Sequence, residues 1–227
     1  MTQPVQSHLD EVSRWLAERP VLDLGSTDLA SVAVVAVDIL NGFAREGALA
    51  SPRVEGIIGP SARLIAQGLE AGLPAAHIGM MADAHPADAE EFRAYPPHCV
   101  QGTSEAEWVT ELLDLPAAGK FSYFYKNSIA SHHTPELERW LESTAPQTLI
   151  VIGDVTDLCL YSLGLHLLTR SQHRGLGQRI VLPANCAQTW DAPDHPADLY
   201  HSLFLYQLAR TGAEVVSEVR WPVAQSG

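Results

Sequence analysis

The sequence predicts an α/β fold of three layers, a mainly parallel sheet with helices on both faces. Two observations carry this reading. Short runs rich in β-branched residues recur along the 227 residues, each followed by a segment of helical periodicity. The runs are apolar at consecutive positions, as strands buried on both faces are. Strands alternating with helices imply βαβ crossovers, and these make parallel sheets.

In chain order, a helix is expected around Leu9–Glu18, reading as an appendage within residues 1–30. Val32–Val37 is the first strand. Ser61–Glu70 sets Leu64, Ile65 and Leu69 on one helical face, with Gly72 as its stop. Ala75–Met81 and Phe121–Tyr125 are the next strands. Thr134-Pro135-Glu136 opens a helix with a cap residue, a first-turn proline and an early acid, and Leu137, Trp140 and Leu141 form its buried face. Thr148–Ile152 follows as a strand. Asp157–Arg170 is apolar nearly all round, which predicts a buried helix. Arg179–Leu182 is a strand, Asp198–Arg210 a helix stopped by Gly212, and Glu214–Val219 the last strand. With no long linker, repeat or low-complexity segment, one domain over residues 1–227 is expected.

Composition narrows the function classes. Hydrophobic residues make up 46% and charged residues 18%, a globular balance. A net charge of −13 gives no basic footprint for nucleic acid and argues against anionic membrane surfaces. The polar start (Met1 to Asp10) does not read as a signal peptide, and the apolar stretch from Ser31 to Leu40 is too short to span a bilayer. Cys99, Cys159 and Cys186 make no disulfide framework. The chain is therefore expected to be cytoplasmic; a homo-oligomer is a separate expectation that composition does not set.

Open parallel sheets bind ligands outside the carboxyl ends of their strands. Asp38 closes the first strand; Asp83 and His85 close the second, Lys126 the third, and Asp154, Asp157 and Cys159 follow the fourth. A strand-end Asp is often only a turn cap, and a lone Cys is often a small buried hydrophobe. Four strand ends carrying an acid, an amine, a thiol and metal-type ligands make a stronger case together. Gly153 to Cys159 reads as a strand-to-helix turn with the sulfur in the first helical turn, where free N–H groups favour a thiolate and can hold an oxyanion. Asp38 can then move the thiol proton and Lys126 can favour the negative charges; a structural ion pair is the other reading of these two. Asp83-x-His85 has period-two spacing, so with His98 it can supply one carboxylate and two imidazoles to a divalent ion. His132, His133, His173 and His195 read as spectators, and His77 and His166 as structural. Cys99 and Cys186 read as structural too, with Cys99 a candidate for the pocket wall.

These blocks resemble the isochorismatase-like cysteine hydrolases from about Val34 to Trp190. Val37-Asp38-Ile39-Leu40-Asn41-Gly42-Phe43 resembles the block with the catalytic acid. Asp83-Ala84-His85-Pro86 and Pro97-His98-Cys99-Val100-Gln101-Gly102-Thr103 resemble the metal blocks of the nicotinamidase branch. Lys126-Asn127-Ser128 resembles the lysine block, and Gly153 to Cys159 the nucleophile block. The resemblance implies a six-stranded parallel sheet and Asp38, Lys126 and Cys159 as the catalytic set. It implies an oxyanion hole from the Val155 and Cys159 N–H groups after a cis peptide at Asp154–Val155, and Phe43 in the substrate pocket. It also implies a small amide substrate cleaved to acid and ammonia through a thioester, and a divalent metal on Asp83, His85 and His98 that fixes the substrate. Zinc suits that set, with iron or manganese also fitting. Leu40-Asn41-Gly42, Ala84 and Ile129-Ala130-Ser131 depart from the usual blocks near the pocket. Another small amide, a ureide or a vinyl ether is the alternative substrate, and an inactive small-molecule-binding paralogue the alternative of another class.

Overall fold

A computed structural model describes residues 5–222. The outermost parts of the expected 1–227 domain, residues 1–4 and 223–227, lie outside the described residues. Along the chain run α1 (Val5–Ala17), β1 (Leu22–Asp23), β2 (Val32–Val37), α2 (Asn41–Ala44), α3 (Pro52–Ala71), β3 (Ile78–Asp83), α4 (Thr110–Leu113) and β4 (Ser122–Lys126). Then come α5 (Pro135–Thr144), β5 (Thr148–Asp154), α6 (Cys159–Arg174), β6 (Arg179–Pro183), β7 (Ala187–Gln188), α7 (Ala197–Thr211), β8 (Glu214–Val216) and β9 (Val219–Arg220).

Among the described residues seven strands form one sheet, six in the order β4-β3-β2-β5-β6-β8 and short β7 beside the end of β5. Every pairing in it is parallel. All residues of β2, β3 and β5 are buried, as strands covered on both faces require. Alternate side chains divide the core. Val34, Ala36, Met80 and Ile152 pack with Val54, Ile58 and Ile65 of α3. Val35, Val37, Met81 and Val151 face Leu137 and Trp140 of α5, Leu160 and Leu163 of α6, and Leu205 and Leu208 of α7. Outside this layer α1 lies on α7, with the Trp15 ring edge-on to Tyr206 at 5.0 Å. Among the described residues no helix is long and apolar enough to cross a membrane.

The chain runs from β2 outward through β3 to β4, then returns to the other side of β2 for β5, β6 and β8. The carboxyl ends of β2 and β5 therefore flank the topological switch point, where a crevice opens in such sheets. Their register is set by Val37 opposite Gly153. Gly153 has φ +119°, and a Cβ there would lie 1.9 Å from the Val37 carbonyl oxygen. Only glycine fits this contact.

The structure moves several expected boundaries. Helix α3 begins at Pro52, not Ser61, because Ser51 caps it by accepting the Arg53 N–H. Pro60 lies inside this helix; the carbonyl it leaves unbonded belongs to exposed Gly56, where water can serve it. Ala75–His77 is a 3₁₀ turn, and the strand proper starts at Ile78. The expected last strand splits: β8 pairs with β6, the Ser217 N–H turns to the Pro20 carbonyl at 2.8 Å, and β9 pairs with β1. Helix α6 begins at Cys159 and runs to Arg174.

Gly153→Ala is expected to cost more than about 3 kcal/mol, or to prevent folding, because it combines a backbone clash with a positive φ. Gly175→Ala, also at positive φ but with open space at its Cβ, is expected to cost about 1 kcal/mol. Urea unfolding of both variants checks the pair; equal, small losses would refute the close-contact reading of Gly153.

Candidate active site

The carboxyl edge of the sheet brings the strand-end residues together. Asp38 has φ +55°, a left-handed turn that ends the strand alternation of β2. Its backbone N–H donates to the Met81 carbonyl at 2.8 Å, and its Oδ1 accepts the Asp83 N–H at 2.9 Å. Asp83 and Lys126 are register partners on β3 and β4. Lys126 Nζ donates to Asp83 Oδ1 at 2.5 Å and lies 2.8 Å from Asp38 Oδ2, in ion-pair range though not aligned for a hydrogen bond. The same Nζ is 3.5 Å from Cys159 Sγ at the head of α6. Asp38, Asp83 and Lys126 are all buried.

Burial and these contacts decide the charges. Burial, reinforced by the negative charge of Asp83, pushes Asp38 up to about 7 against the pull of Lys126. Burial acts to raise Asp83 as well, but Lys126 and His85 outweigh it and hold that carboxyl below its usual range. Burial works against the Lys126 charge, yet Asp38 and Asp83 keep it protonated. Cys159 corrects the sequence reading. Burial, opposed by Lys126, pushes its thiol well above the ordinary value, so the resting sulfur keeps its proton. The first-turn position does not overcome desolvation. Asp38 is the carboxylate paired with Lys126 beside this thiol.

The Asp154–Val155 peptide is cis. Among the described residues the N–H groups of Val155 and Cys159 find no protein acceptor. Asp154, which closes β5, is fully buried with neither carboxylate oxygen partnered; burial and then Asp38 raise it well above the carboxylate range.

Asp83, His85 and His98 place their ligand atoms within 4.8 Å of one another. His85 Nδ1 donates to Asn127 Oδ1 at 2.8 Å, and His98 Nδ1 donates to the Pro96 carbonyl at 2.8 Å. Each bond leaves the Nε2 lone pair free, the arrangement that orients imidazole ligands. His85 Nε2 and Asp83 Oδ2 are buried without hydrogen-bond partners. The three residues therefore fit a divalent ion, and Phe43 and Phe92 wall the imidazoles at 5.3–5.6 Å between ring centres.

A cavity of about 580 Å³ opens onto both groups. Asp38, Asp83, His98, Val155, Cys159 and Phe43 line it, together with residues the sequence did not flag: Arg53, Glu91, Tyr95, Trp190 and Asp191. Cys99 is fully buried and does not line this cavity. Cys186 is sealed in the core, its thiol pushed up to about 12 by burial. His132 and His133 are exposed, as is His173. His195, by contrast, is buried: its Nε2 donates to Asp157 Oδ2 at 2.9 Å, and its ring stacks on Trp190 at 3.7 Å. The signal that could have found it is β7, whose carboxyl end leads to Trp190, but two residues are too few to read as a strand.

Comparison with known proteins gives the family and the fold. The family described as the isochorismatase domain matches residues 32–217. Nicotinamidase 1 of Arabidopsis thaliana is 26% identical over 216 residues, covering 84% of this chain and 87% of that protein. A nicotinamidase structure from Bacillus subtilis is 25% identical with TM-score 0.62, covering 82% of this chain and 99% of that one. The pyrazinamidase of Pyrococcus horikoshii, solved in complex with zinc, has TM-score 0.67 at 23% identity, covering 82% and 98%.

The turn before Cys159 is held partly by His201, whose Nδ1 lies 2.9 Å from Thr156 Oγ1. Burial, helped by Arg53, lowers His201 to about 4. Its folded value lies below the unfolded one, so the unfolded chain binds the extra proton between those values. The stability this neutral ring contributes is complete above pH ~6.5 and is lost as pH falls towards 4, by on the order of 3 kcal/mol. Urea unfolding at pH 7.5 and 4.5 should show the loss. His201→Asn, which keeps a polar atom near Nδ1, should reduce it; an unchanged pH dependence would assign the acid sensitivity elsewhere.

Proposed function

Because the chain belongs to the isochorismatase-domain family of hydrolases, we propose that it is a nicotinamidase-like cysteine amidohydrolase, converting a small amide to its acid and ammonia. The observation that carries this reading is a cavity wall formed by Asp38 and Cys159, with one buried lysine within 3.5 Å of the sulfur and 2.8 Å from the Asp38 carboxylate. The curated nicotinamidase relative supports the substrate class.

Attack begins with the neutral thiol. Cys159 Sγ bonds to the amide carbonyl carbon while its proton passes to Asp38, a base matched to neutral pH. The N–H groups of Val155 and Cys159 receive the oxyanion. Asp38 then protonates the departing nitrogen, the C–N bond breaks, and ammonia leaves a thioester on Cys159. Water adds to the thioester as Asp38 takes its proton; the C–S bond breaks, the sulfur regains a proton, and the acid departs. Lys126 offsets the negative charge that moves between Asp38 and the sulfur. Phe43, Trp190 and Tyr95 supply the walls that hold a flat, small substrate. A divalent ion on Asp83, His85 and His98, zinc by the nature of the donors, would supply a Lewis-acidic contact that fixes a substrate heteroatom. The zinc-bound pyrazinamidase supports that choice.

The test is ammonia release across a panel of small amides and ureides, nicotinamide among them. Cys159→Ala is expected to abolish turnover with the fold intact, and Cys159→Ser to be nearly inactive, since a hydroxyl is much harder to deprotonate. Asp38→Asn should lower kcat by roughly 10²–10⁴-fold, the range for a lost general acid/base. Near-full activity of the alanine variant would exclude thiol catalysis.

His98→Ala should remove bound zinc from protein loaded and then dialysed, read by metal analysis, while circular dichroism stays native. Stoichiometric zinc retained by that variant would place the ion elsewhere.

A further inference from the structure

Among the described residues, Thr156 and Asp157 of the turn that presents Cys159 are held from one side. The Thr156 N–H donates to the Gln188 carbonyl at 3.0 Å, its hydroxyl meets His201, and Asp157 meets His195. All three supports come from residues 188–201. That segment is itself firmly tied: Ala192 and His195 exchange backbone hydrogen bonds at 3.0 and 3.1 Å, and Asp191 Oδ1 accepts the Ala197 N–H at 2.9 Å.

His195 stands where this support meets the cavity. Its Nδ1 donates to the Trp190 carbonyl at 3.0 Å, and its ring lies between Trp190 at 3.7 Å and Tyr200 at 3.8 Å. Trp190 lines the cavity with Cys159. Asp157 lies two residues before the nucleophile, and its other oxygen, Oδ1, is buried with no partner. Among the described residues His195 is thus the side chain that holds Asp157. From this we infer that His195 is a positioning residue of the proposed amidase: acting through Asp157, it sets the nucleophile turn, and through Trp190 it fixes the facing wall. The inference rests on Cys159 being the nucleophile. A stacked, doubly bonded ring limits the motion of both neighbours, and displacement of reacting groups by about 1 Å can cost roughly 10²-fold in rate.

Three substitutions separate positioning from simple packing. His195→Phe keeps the stack and loses both hydrogen bonds. His195→Gln puts a donor near the Nε2 position, towards Asp157. His195→Asn puts one near Nδ1, towards the Trp190 carbonyl. Expected is a kcat about 10²-fold lower for His195→Phe with KM little changed, the size of a misplaced reacting group. Gln should recover most of the rate and Asn should not. If Phe does not fold, the Gln and Asn variants decide the matter alone. Full kcat in a folded Phe variant, or equal losses in Gln and Asn, overturns the inference. The rate of Cys159 carboxamidomethylation by iodoacetamide, read by peptide mass spectrometry, gives an arm independent of amide turnover. It should slow in Asn and return in Gln; equal rates in wild type, Gln and Asn overturn the inference even if no amide in the panel is a substrate.

Discussion

One buried cation organises the carboxyl edge of this sheet. Lys126 lies within 3.5 Å of Asp38, Asp83 and Cys159, and all four are withdrawn from water. A buried carboxylate without a counter-charge would simply take up a proton. The lysine keeps Asp83 ionised, leaves Asp38 near neutrality and stands ready for charge on the sulfur. Removing it would change the protonation of every group in the cluster, not one contact.

The fold exists in the form that allows this crowding. Parallel strands place their carboxyl ends on one edge, and the return of the chain from β4 to β5 brings the ends of β2 and β5 side by side. Gly153 lets the two backbones approach closely. The apolar covering by α3 on one face and by α5, α6 and α7 on the other then dries the site. The same dryness holds the Cys159 thiol above its ordinary value, so in the proposed reaction proton transfer to Asp38 accompanies attack.

Much of this was legible in the residues. Val32–Val37 has the same limits in sequence and structure, because an unbroken β-branched run has few alternatives. The strand-end rule needed only approximate strand limits to gather Asp38, Asp83, Lys126 and Cys159. What failed was local patterning where tertiary contacts decide. Pro60 hid the first turns of α3, and the Glu214–Val219 run gave no sign that Ser217 would turn away to Pro20. His195 sits among Pro193, Asp194 and Pro196, a stretch whose composition says only that a turn is present. Its partner, Asp157, is 38 residues away. The thiol was misread because a helix start is visible in sequence and depth of burial is not.

Asp83 belongs to two neighbourhoods at once. One oxygen is bonded to Lys126, and the other is left to the imidazole pair. A cation held beside His85 and His98 would withdraw part of the Asp83 field from the lysine and so ease loss of the proton from sulfur. Thermodynamic linkage makes that influence mutual: the factor by which the ion favours the thiolate is the factor by which the thiolate tightens the ion. Substrate anchoring and nucleophile strength would therefore be joined through a single carboxylate, and neither could be tuned without moving the other.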